Sequence, residues 1–354
     1  MSSEMPDRAR LEALVRGGEV ISEISLAGID LTGASLGGAI FERVDLRGAR
    51  LDGAAARESV FSGCDLTGTS WRGADVRHTT FDQCALADAS FAAARMSTAK
   101  LTRCKARALD LTEADLTVAV LAQSDLGSAR FCRARLDRTV LMDDDTRAID
   151  LAGATLKQTT LMKSDLRGAN LAGADFELAI LIASDLRGMN LRGMRFHICQ
   201  FTDADLRECD LSGAALDRCN FKGANLLGAR FEKADAPGAL FVGARLGKAA
   251  LRGARLTQAI FVEADLTAAD CAGADLQQAS FTRATCAGAS FRGADLTYAD
   301  FTHADVSAAD FSGATMFRAR LHATVTRDAL GINTLTALGD DEELARAERW
   351  QPRY

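Results

Sequence analysis

Residues 289–308 read ASFRG ADLTY ADFTH ADVSA, four consecutive units of five residues with a small residue first and an apolar residue third. The same frame extends in both directions along the chain. Every fifth residue from Leu26 to Leu321 gives a series of 60 positions, of which 33 are Leu and 16 are Phe. Two positions before most members the residue is small, and from Ala224 to Ala319 it is always Ala. A period this regular indicates a repeat protein built from thin stacked layers.

A second period, of twenty residues, is superimposed on the first. The residue just before each central Leu or Phe is expected to face outward and is usually polar. Seven such positions carry Val, Ile or Leu, and all are multiples of 20: Ile40, Val60, Val120, Val140, Ile180, Leu240 and Ile260. A column of Phe repeats the spacing at the central positions: Phe201, Phe221, Phe241, Phe261, Phe281 and Phe301. Both columns predict four units in each turn of the chain.

The five-residue units resemble those of a known family. Residues 169–173 (ANLAG) and 294–298 (ADLTY) resemble the A(D/N)Lxx unit of the pentapeptide-repeat proteins, and the resemblance covers residues 21–325. It implies an all-β fold, a right-handed quadrilateral parallel β-helix with four units in each coil. At four units per coil, the 60 central positions predict about 15 coils. The coils are expected to stack through parallel backbone hydrogen bonds about 4.8 Å apart.

The ends of such a stack expose unpaired backbone groups and need covers. We expect a helical cap in residues 1–20, the solenoid in residues 21–325, and a tail in residues 326–354. Residues 6–16 have the pattern of a short helix that ends at Gly17 and Gly18, and a second helix is expected from about Asp340 to Trp350. This terminal helix either caps the last coil or mediates association.

Composition narrows the possible partners. The 42 basic and 48 acidic residues give a net charge of −6 with both signs interspersed, so no direct binding of nucleic acid is expected. No apolar stretch is long enough to span a bilayer, and no membrane contact is expected. The odd count of nine cysteines and the polar first residues favour a cytoplasmic protein with reduced thiols.

The residue types that usually form catalytic or metal sites occupy positions in the five-residue repeat where a structural role explains them. No nucleophile–base pair, phosphate-binding loop or dinucleotide motif is present, so the sequence predicts no enzyme, no catalytic residue and no cofactor. The four histidines are predicted at solvated outward positions. His303 and His322 alone lie on successive coils, too few ligands for a metal site. The cysteines Cys64, Cys84 and Cys104 are twenty residues apart and are predicted to pack in one inner column.

Acidic residues form two distinct features. Asp144 falls in the inner column of the three cysteines, where we expect Ser124 and Ser164 to supply hydrogen bonds and the coil to be locally irregular. An outer ladder of aspartates lies two residues before a parallel ladder of arginines, which should offset its repulsion. The ladders are Asp125, Asp145, Asp165, Asp185 and Asp205, and Arg147, Arg167, Arg187 and Arg207.

One face of the predicted coil differs from the others because it carries large apolar residues on both flanks of the strand. It is interrupted at residues 200–222 and so falls into two patches. One alternative is that these residues have no binding role and occur because β-branched residues are favoured in exposed strands. We favour a surface for a protein partner. Its candidate binding residues are Val120, Val140, Met142, Met162, Ile180, Ile182, Leu240, Val242, Ile260 and Val262.

Two classes of function follow from the residues and the resemblance. The first is a non-enzymatic scaffold or adaptor that binds a protein partner, or a second copy of itself, along the apolar face. Gly17, Gly18 and Glu19 resemble the lead-in of long pentapeptide-repeat proteins associated with bacterial type VI secretion. The alternative is a DNA mimic of the kind that binds and protects DNA gyrase. A mimic needs a strongly acidic surface, which the matched arginine ladder argues against.

Overall fold

The computed structural model describes residues 6–350 of the chain. The chain forms two compact units, Met1–Ser184 and Asp185–Tyr354, and the boundary between them lies within the repeats. The predicted division into cap, solenoid and tail remains a prediction.

The regular elements are two short helices and ten short strands. The helices are α1 (Arg8–Arg16) and α2 (Glu342–Glu348). The strands are β1 (Val20–Ser22), β2 (Ile40–Glu42), β3 (Val60–Ser62), β4 (Thr80–Asp82), β5 (Lys100–Thr102), β6 (Val120–Ala122), β7 (Val140–Met142), β8 (Thr160–Met162), β9 (Phe176–Glu177) and β10 (Phe196–His197).

The first unit is a parallel β-solenoid. Strands β1 to β8 form one parallel sheet in sequence order, and each residue pairs with the residue twenty positions later. The other three sides of each coil pair through isolated parallel bridges at five-residue steps: Ser25↔Asp45, Asp30↔Arg50 and Ser35↔Ala55 in the first coil. The predicted twenty-residue coil with four sides is therefore confirmed.

The second unit repeats this pattern with isolated bridges in place of most strands. Its first coil pairs at Asp185↔Asp205, Asn190↔Asp210, Arg195↔Ala215 and Gln200↔Asn220. The predicted fold class, an all-β parallel solenoid, is correct. The regular elements mark about 9 turns, fewer than the about 15 coils predicted, because many coils pair through single bridges that are too short to count as strands.

The central residues of the units fill the interior. Every member of the series from Leu26 to Met316 is buried. In the second unit Phe221, Phe241 and Phe261 stack nearly parallel, with ring centroids 5.0 and 4.8 Å apart. This distance equals the spacing of parallel strands, so one Phe in each coil forms a continuous stack.

Two further features predicted for the inner column are present. Cys64, Cys84 and Cys104 are buried, and their thiols donate to backbone carbonyl oxygens at 3.3–3.4 Å. Hydrogen bonds with the thiols of Cys104 and Cys64, together with burial, raise the pKa of Cys84. Cys84 is therefore a neutral thiol, and the three cysteines pack in one inner column, as predicted.

Asp144 occupies the same column and is also buried. Its carboxylate accepts hydrogen bonds from the backbone N–H groups of Ser124 (2.7 Å) and Met142 (3.0 Å). The prediction that Ser124 and Ser164 supply these bonds is confirmed for Ser124, which donates through its backbone N–H, and is wrong for Ser164. The Ser124 hydroxyl donates to the carbonyl oxygen of Ala122, and the buried Ser164 hydroxyl has no hydrogen-bond partner in the described part of the chain.

Helix α1 covers the open edge of the first coil. Leu11 and Val15 are its buried residues. The Arg8 guanidinium donates to the carbonyl oxygens of Thr32 (2.7 Å) and Gly33 (3.0 Å). The Glu12 carboxylate accepts from the backbone N–H of Ser35 at 3.0 Å. The first coil has no coil before it to bond its backbone groups, so side chains of α1 supply these hydrogen bonds instead.

The two glycines that follow α1 terminate it. The backbone N–H of Gly18 donates to Val15, and that of Glu19 donates to Leu14, at 3.0 and 3.1 Å. Gly18 has a φ of +71°, in the left-handed region that favours glycine. This is a Schellman motif, in which a left-handed residue turns the chain away from the helix axis.

At the C-terminal end, further pairing with the coils precedes a short helix. Pairing between coils continues past residue 325, through Asp310↔Leu330 to Arg320↔Leu338. Helix α2 is shorter than the predicted helix and begins after Asp341, whose side chain accepts from the N–H groups of residues 343 and 344. The Trp350 side chain is exposed.

The prediction that all four histidines are solvated is wrong for His322. This side chain is 4% exposed because residues 340–348 lie over it. Sequence reasoning missed this contact because nothing in the repeat period shows where the tail returns.

Within residues 6–350, no helix has the length and apolar character that a membrane span requires.

Candidate partner-binding face

The apolar face of the first unit lies on the strand side of the solenoid. Val120 pairs with Val140 across β6 and β7, and Met142 pairs with Met162 across β7 and β8. Thr160 separates Val140 from Ile180 in the same column. Side chains that pair between adjacent parallel strands lie about one strand spacing apart, so the paired residues form an apolar strip, which Thr160 interrupts in the column of Val140 and Ile180. The predicted member Ile182 continues the flank of Met142 and Met162.

The second unit carries a smaller patch of the same kind. Leu240 pairs with Ile260, and the flanking positions hold Val242 and Val262. The patch is bounded on one side by Asn220 and on the other by Ser280. In the coils that precede this patch, the same column is polar. There the side-chain amide of Asn220 donates to the side-chain oxygen of Gln200 at 2.9 Å.

All ten predicted residues lie outside the core, and all ten are half-buried. None is among the large apolar side chains with more than about a third of their surface exposed. The reason is stacking, because each side chain is flanked by the residues one coil before and one coil after it. The patches are therefore flat apolar surfaces in which single side chains do not protrude.

More exposed apolar residues occur at positions that were left out of the predicted set. Val20, Ile40 and Val60 belong to the same column, pair in register across β1 to β3, and are 50%, 37% and 36% exposed. The sequence indicates these three residues too, because their numbers are multiples of twenty like those of the rest of the column. Near the C-terminal end, Tyr298 and Phe317 are each 49% exposed, with ring centroids 5.8 Å apart. No period in the sequence indicates that aromatic pair.

The charged face has the predicted pairing. Four aspartates of the ladder each form an ion pair with the arginine two residues later, with 2.6 Å between Nη2 and Oδ2. They are Asp145, Asp165, Asp185 and Asp205. The Arg147 guanidinium lowers the pKa of Asp145 through this hydrogen bond. Each carboxylate in this set is thus neutralised locally by its own arginine.

Within residues 6–350, one cluster of three side chains could ligate a metal ion: His303, His322 and Glu348. It lies at the C-terminal end of the second unit and does not include the apolar face.

Two family models match the sequence. A family model described as "Pentapeptide repeat region" matches residues 34–111 and 54–131. A second, "Pentapeptide repeats (8 copies)", matches six stretches from residues 147–181 to residues 294–324. Curated proteins give no significant match to the sequence.

Two solved structures illustrate the likeness. HetL, a pentapeptide repeat protein involved in heterocyst differentiation regulation from the cyanobacterium Nostoc sp. strain PCC 7120, is 25% identical and has a TM-score of 0.32. That match covers 74% of this chain and 89% of HetL. Trypsin-treated QnrB1, a plasmid-mediated fluoroquinolone resistance protein, is 18% identical with a TM-score of 0.35, over 55% of this chain and 90% of QnrB1. With TM-scores this low, the family assignment rests on the family models.

Parallel coils of four five-residue sides define the class of this molecule as a β-solenoid repeat protein. The two family models together match well over half of its length. The chain belongs to the pentapeptide-repeat family.

Proposed function

We propose that the protein is a non-enzymatic scaffold whose apolar strand face binds the apolar surface of a protein partner or of a second copy of the chain. The observation that carries this proposal is the register of the apolar residues. Val120 pairs with Val140, Met142 with Met162, and Leu240 with Ile260, so side chains twenty residues apart form apolar strips. Half-buried, flat strips suit a partner that lies against the face over several coils.

The charged face favours this scaffold over the DNA mimic. A mimic needs an unpaired acidic surface, whereas four of the ladder aspartates have an ion pair with their own arginine at 2.6 Å.

A role as an accessory of a type VI secretion apparatus is a narrower form of the same proposal. Its sequence support is Gly17, Gly18 and Glu19. These residues also form the Schellman end of α1, which gives them a structural reason to be present. The narrower proposal therefore depends on which proteins are captured in the native host.

The test places lysines in each strip of the full-length protein. We expect Val140→Lys with Ile180→Lys to abolish binding through the first unit, and Leu240→Lys with Ile260→Lys to abolish it through the second. A charge in the middle of a dry apolar contact costs several kcal/mol, on the order of a 100-fold loss of affinity or more. Sedimentation velocity measures self-association, and affinity purification from the native host with mass spectrometry measures capture of a partner.

Matched controls lie in the same columns. Thr80→Lys in the first unit and Ser280→Lys in the second place the same charge on the same face, outside the strips. These variants are expected to fold and to bind like the wild type. If the lysines in the strips leave both self-association and capture unchanged, the apolar face is not the binding surface.

A further inference from the structure

The tail that follows the last coil returns to the solenoid and places a carboxylate between two imidazoles. Oε1 of Glu348 lies 2.9 Å from Nε2 of His303, and Oε2 lies 3.3 Å from Nε2 of His322. The two imidazole rings come from neighbouring coils, with centroids 5.7 Å apart. Glu348 is the last residue of α2, so the contact joins a tail helix to the coils at the end of the second unit.

The three side chains have the composition and closeness of a metal-ligand set. One ligand atom from each lies within 4.8 Å of the other two. Ligands of a tetrahedral zinc ion lie about 2.0–2.1 Å from the metal and hence about 3.4 Å from one another, so a small inward movement would close the set. Two histidines and one carboxylate are a ligand combination that zinc uses in proteins, with the fourth position open to water.

Charged groups of both signs surround the cluster. A groove beside the cluster is lined by the carboxylates of Asp340 and Glu342 together with the guanidinium groups of Arg346 and Arg349. Of the two arginines, Arg349 is directed toward its own helix, where its Nε donates to the carbonyl oxygen of Ala345.

We propose that His303, His322 and Glu348 form a binding site for a divalent transition-metal ion of the zinc type, which fastens α2 to the end of the solenoid. The site does not depend on the apolar face or on the identity of the partner. It gives the terminal helix a role as a metal-dependent cap.

The proton positions show what metal binding must change. Nδ1 of His322 accepts a hydrogen bond from the backbone N–H of Asp341 at 3.1 Å, so in the metal-free chain the ring proton lies on Nε2. A metal bound at Nε2 moves this proton to Nδ1, which then no longer accepts from the N–H of Asp341, so that hydrogen bond must break. There Oδ1 of Asp340, 3.6 Å away, is the carboxylate available to accept it. A carboxylate that accepts from the second nitrogen of a ligand histidine orients the ring and strengthens its bond to the metal.

The test uses the full-length protein, freed of metal with a chelator and then titrated with zinc alone. We expect one zinc ion to bind per chain, and cobalt at the same site to give the visible absorption of a tetrahedral complex. Zinc should also slow amide hydrogen exchange in residues 340–350, because the metal fixes α2 to the coil. Glu348→Gln and His322→Asn should each weaken zinc binding by more than about tenfold and remove the protection of α2.

Two control variants separate this site from other zinc-binding groups. Glu342→Gln changes a carboxylate on the same helix, and His78→Asn removes an exposed histidine that contacts Thr98. Both should bind zinc like the wild type. Failure of the wild type to take up one zinc ion would overturn the proposal. So would equal affinity in Glu348→Gln and the wild type, which would assign the zinc to the cysteine thiols or the protein surface.

Discussion

At the scale of single residues, Asp144 has the most unusual environment in the described chain. Burial raises the pKa of this carboxyl from 3.8 to about 7, although the N–H groups of Ser124 and Met142 stabilise the charged form. Desolvation therefore outweighs two hydrogen bonds from the backbone. The neighbouring coils hold Ser124 and Ser164 at the equivalent position, so the column accepts a small neutral side chain.

This pKa makes the stability of the protein depend on pH. A carboxyl whose pKa is higher in the folded state than in the unfolded state contributes stability when it is protonated. That contribution is fully present below pH 3.8 and is lost as the pH rises through about 7. The difference between the two pKa values corresponds to at most about 4 kcal/mol.

We predict that Asp144→Ser raises the melting temperature at about pH 8 and changes it much less at about pH 5, because serine removes the buried charge. Thermal unfolding of both proteins across this pH range measures the effect. Asp143→Ser, which removes an exposed neighbouring charge that contributes least to the raised pKa, should keep most of the pH dependence of the wild type. Parallel stability curves for Asp144→Ser and the wild type would show that Asp144 is not the titrating group.

At the scale of elements, helix α1 is the cover of the first coil. Its buried Leu11 and the contacts of Arg8 and Glu12 with backbone groups of the coil hold it in place. A helix of nine residues is too short to be stable in water by itself, so its stability comes from this packing.

We predict that Leu11→Ala costs about 2–5 kcal/mol of local stability, because it leaves a cavity between α1 and the coil. Hydrogen exchange of β1 and of residues 26–36 should speed up, while that of the second unit should stay unchanged. Arg10→Ala removes an exposed side chain from the same helix and should leave exchange as in the wild type. If the two variants exchange equally, α1 does not protect the first coil.

At the scale of the whole molecule, charge decides between the two classes of function. The net charge of −6 comes from 42 basic and 48 acidic residues, and four of the ladder aspartates each form an ion pair with an arginine. Locally paired charges produce a weak field beyond about one Debye length, roughly 10 Å at moderate salt.

We therefore predict that the purified protein neither inhibits DNA supercoiling by gyrase nor relieves inhibition of gyrase by a fluoroquinolone. A gyrase-protecting pentapeptide-repeat protein in the same assay provides the positive control. Inhibition that disappears when the aspartate ladder is replaced by asparagine would favour the mimic over the scaffold.

The sequence by itself determined the coil, the core and the side of the apolar residues. Leu26 to Leu321 follow one five-residue frame, and Val120, Val140 and Ile180 follow the twenty-residue period. Both periods can be read directly because in a solenoid each residue packs against residues at a constant separation in sequence. Of the central residues in that frame, Leu321 alone is only partly buried, where the repeat ends.

Only the tertiary structure decided how far the apolar side chains are exposed, which groups bond to Asp144, and where the tail returns. The candidate residues are half-buried because adjacent coils flank each side chain, and Asp144 is bonded by backbone N–H groups that a residue pattern does not locate. Glu348 meets His303 across 45 residues. This contact joins the repeats to the tail, which has no repeat period. The sequence therefore does not show which residues meet, because that depends on the path of the chain in space.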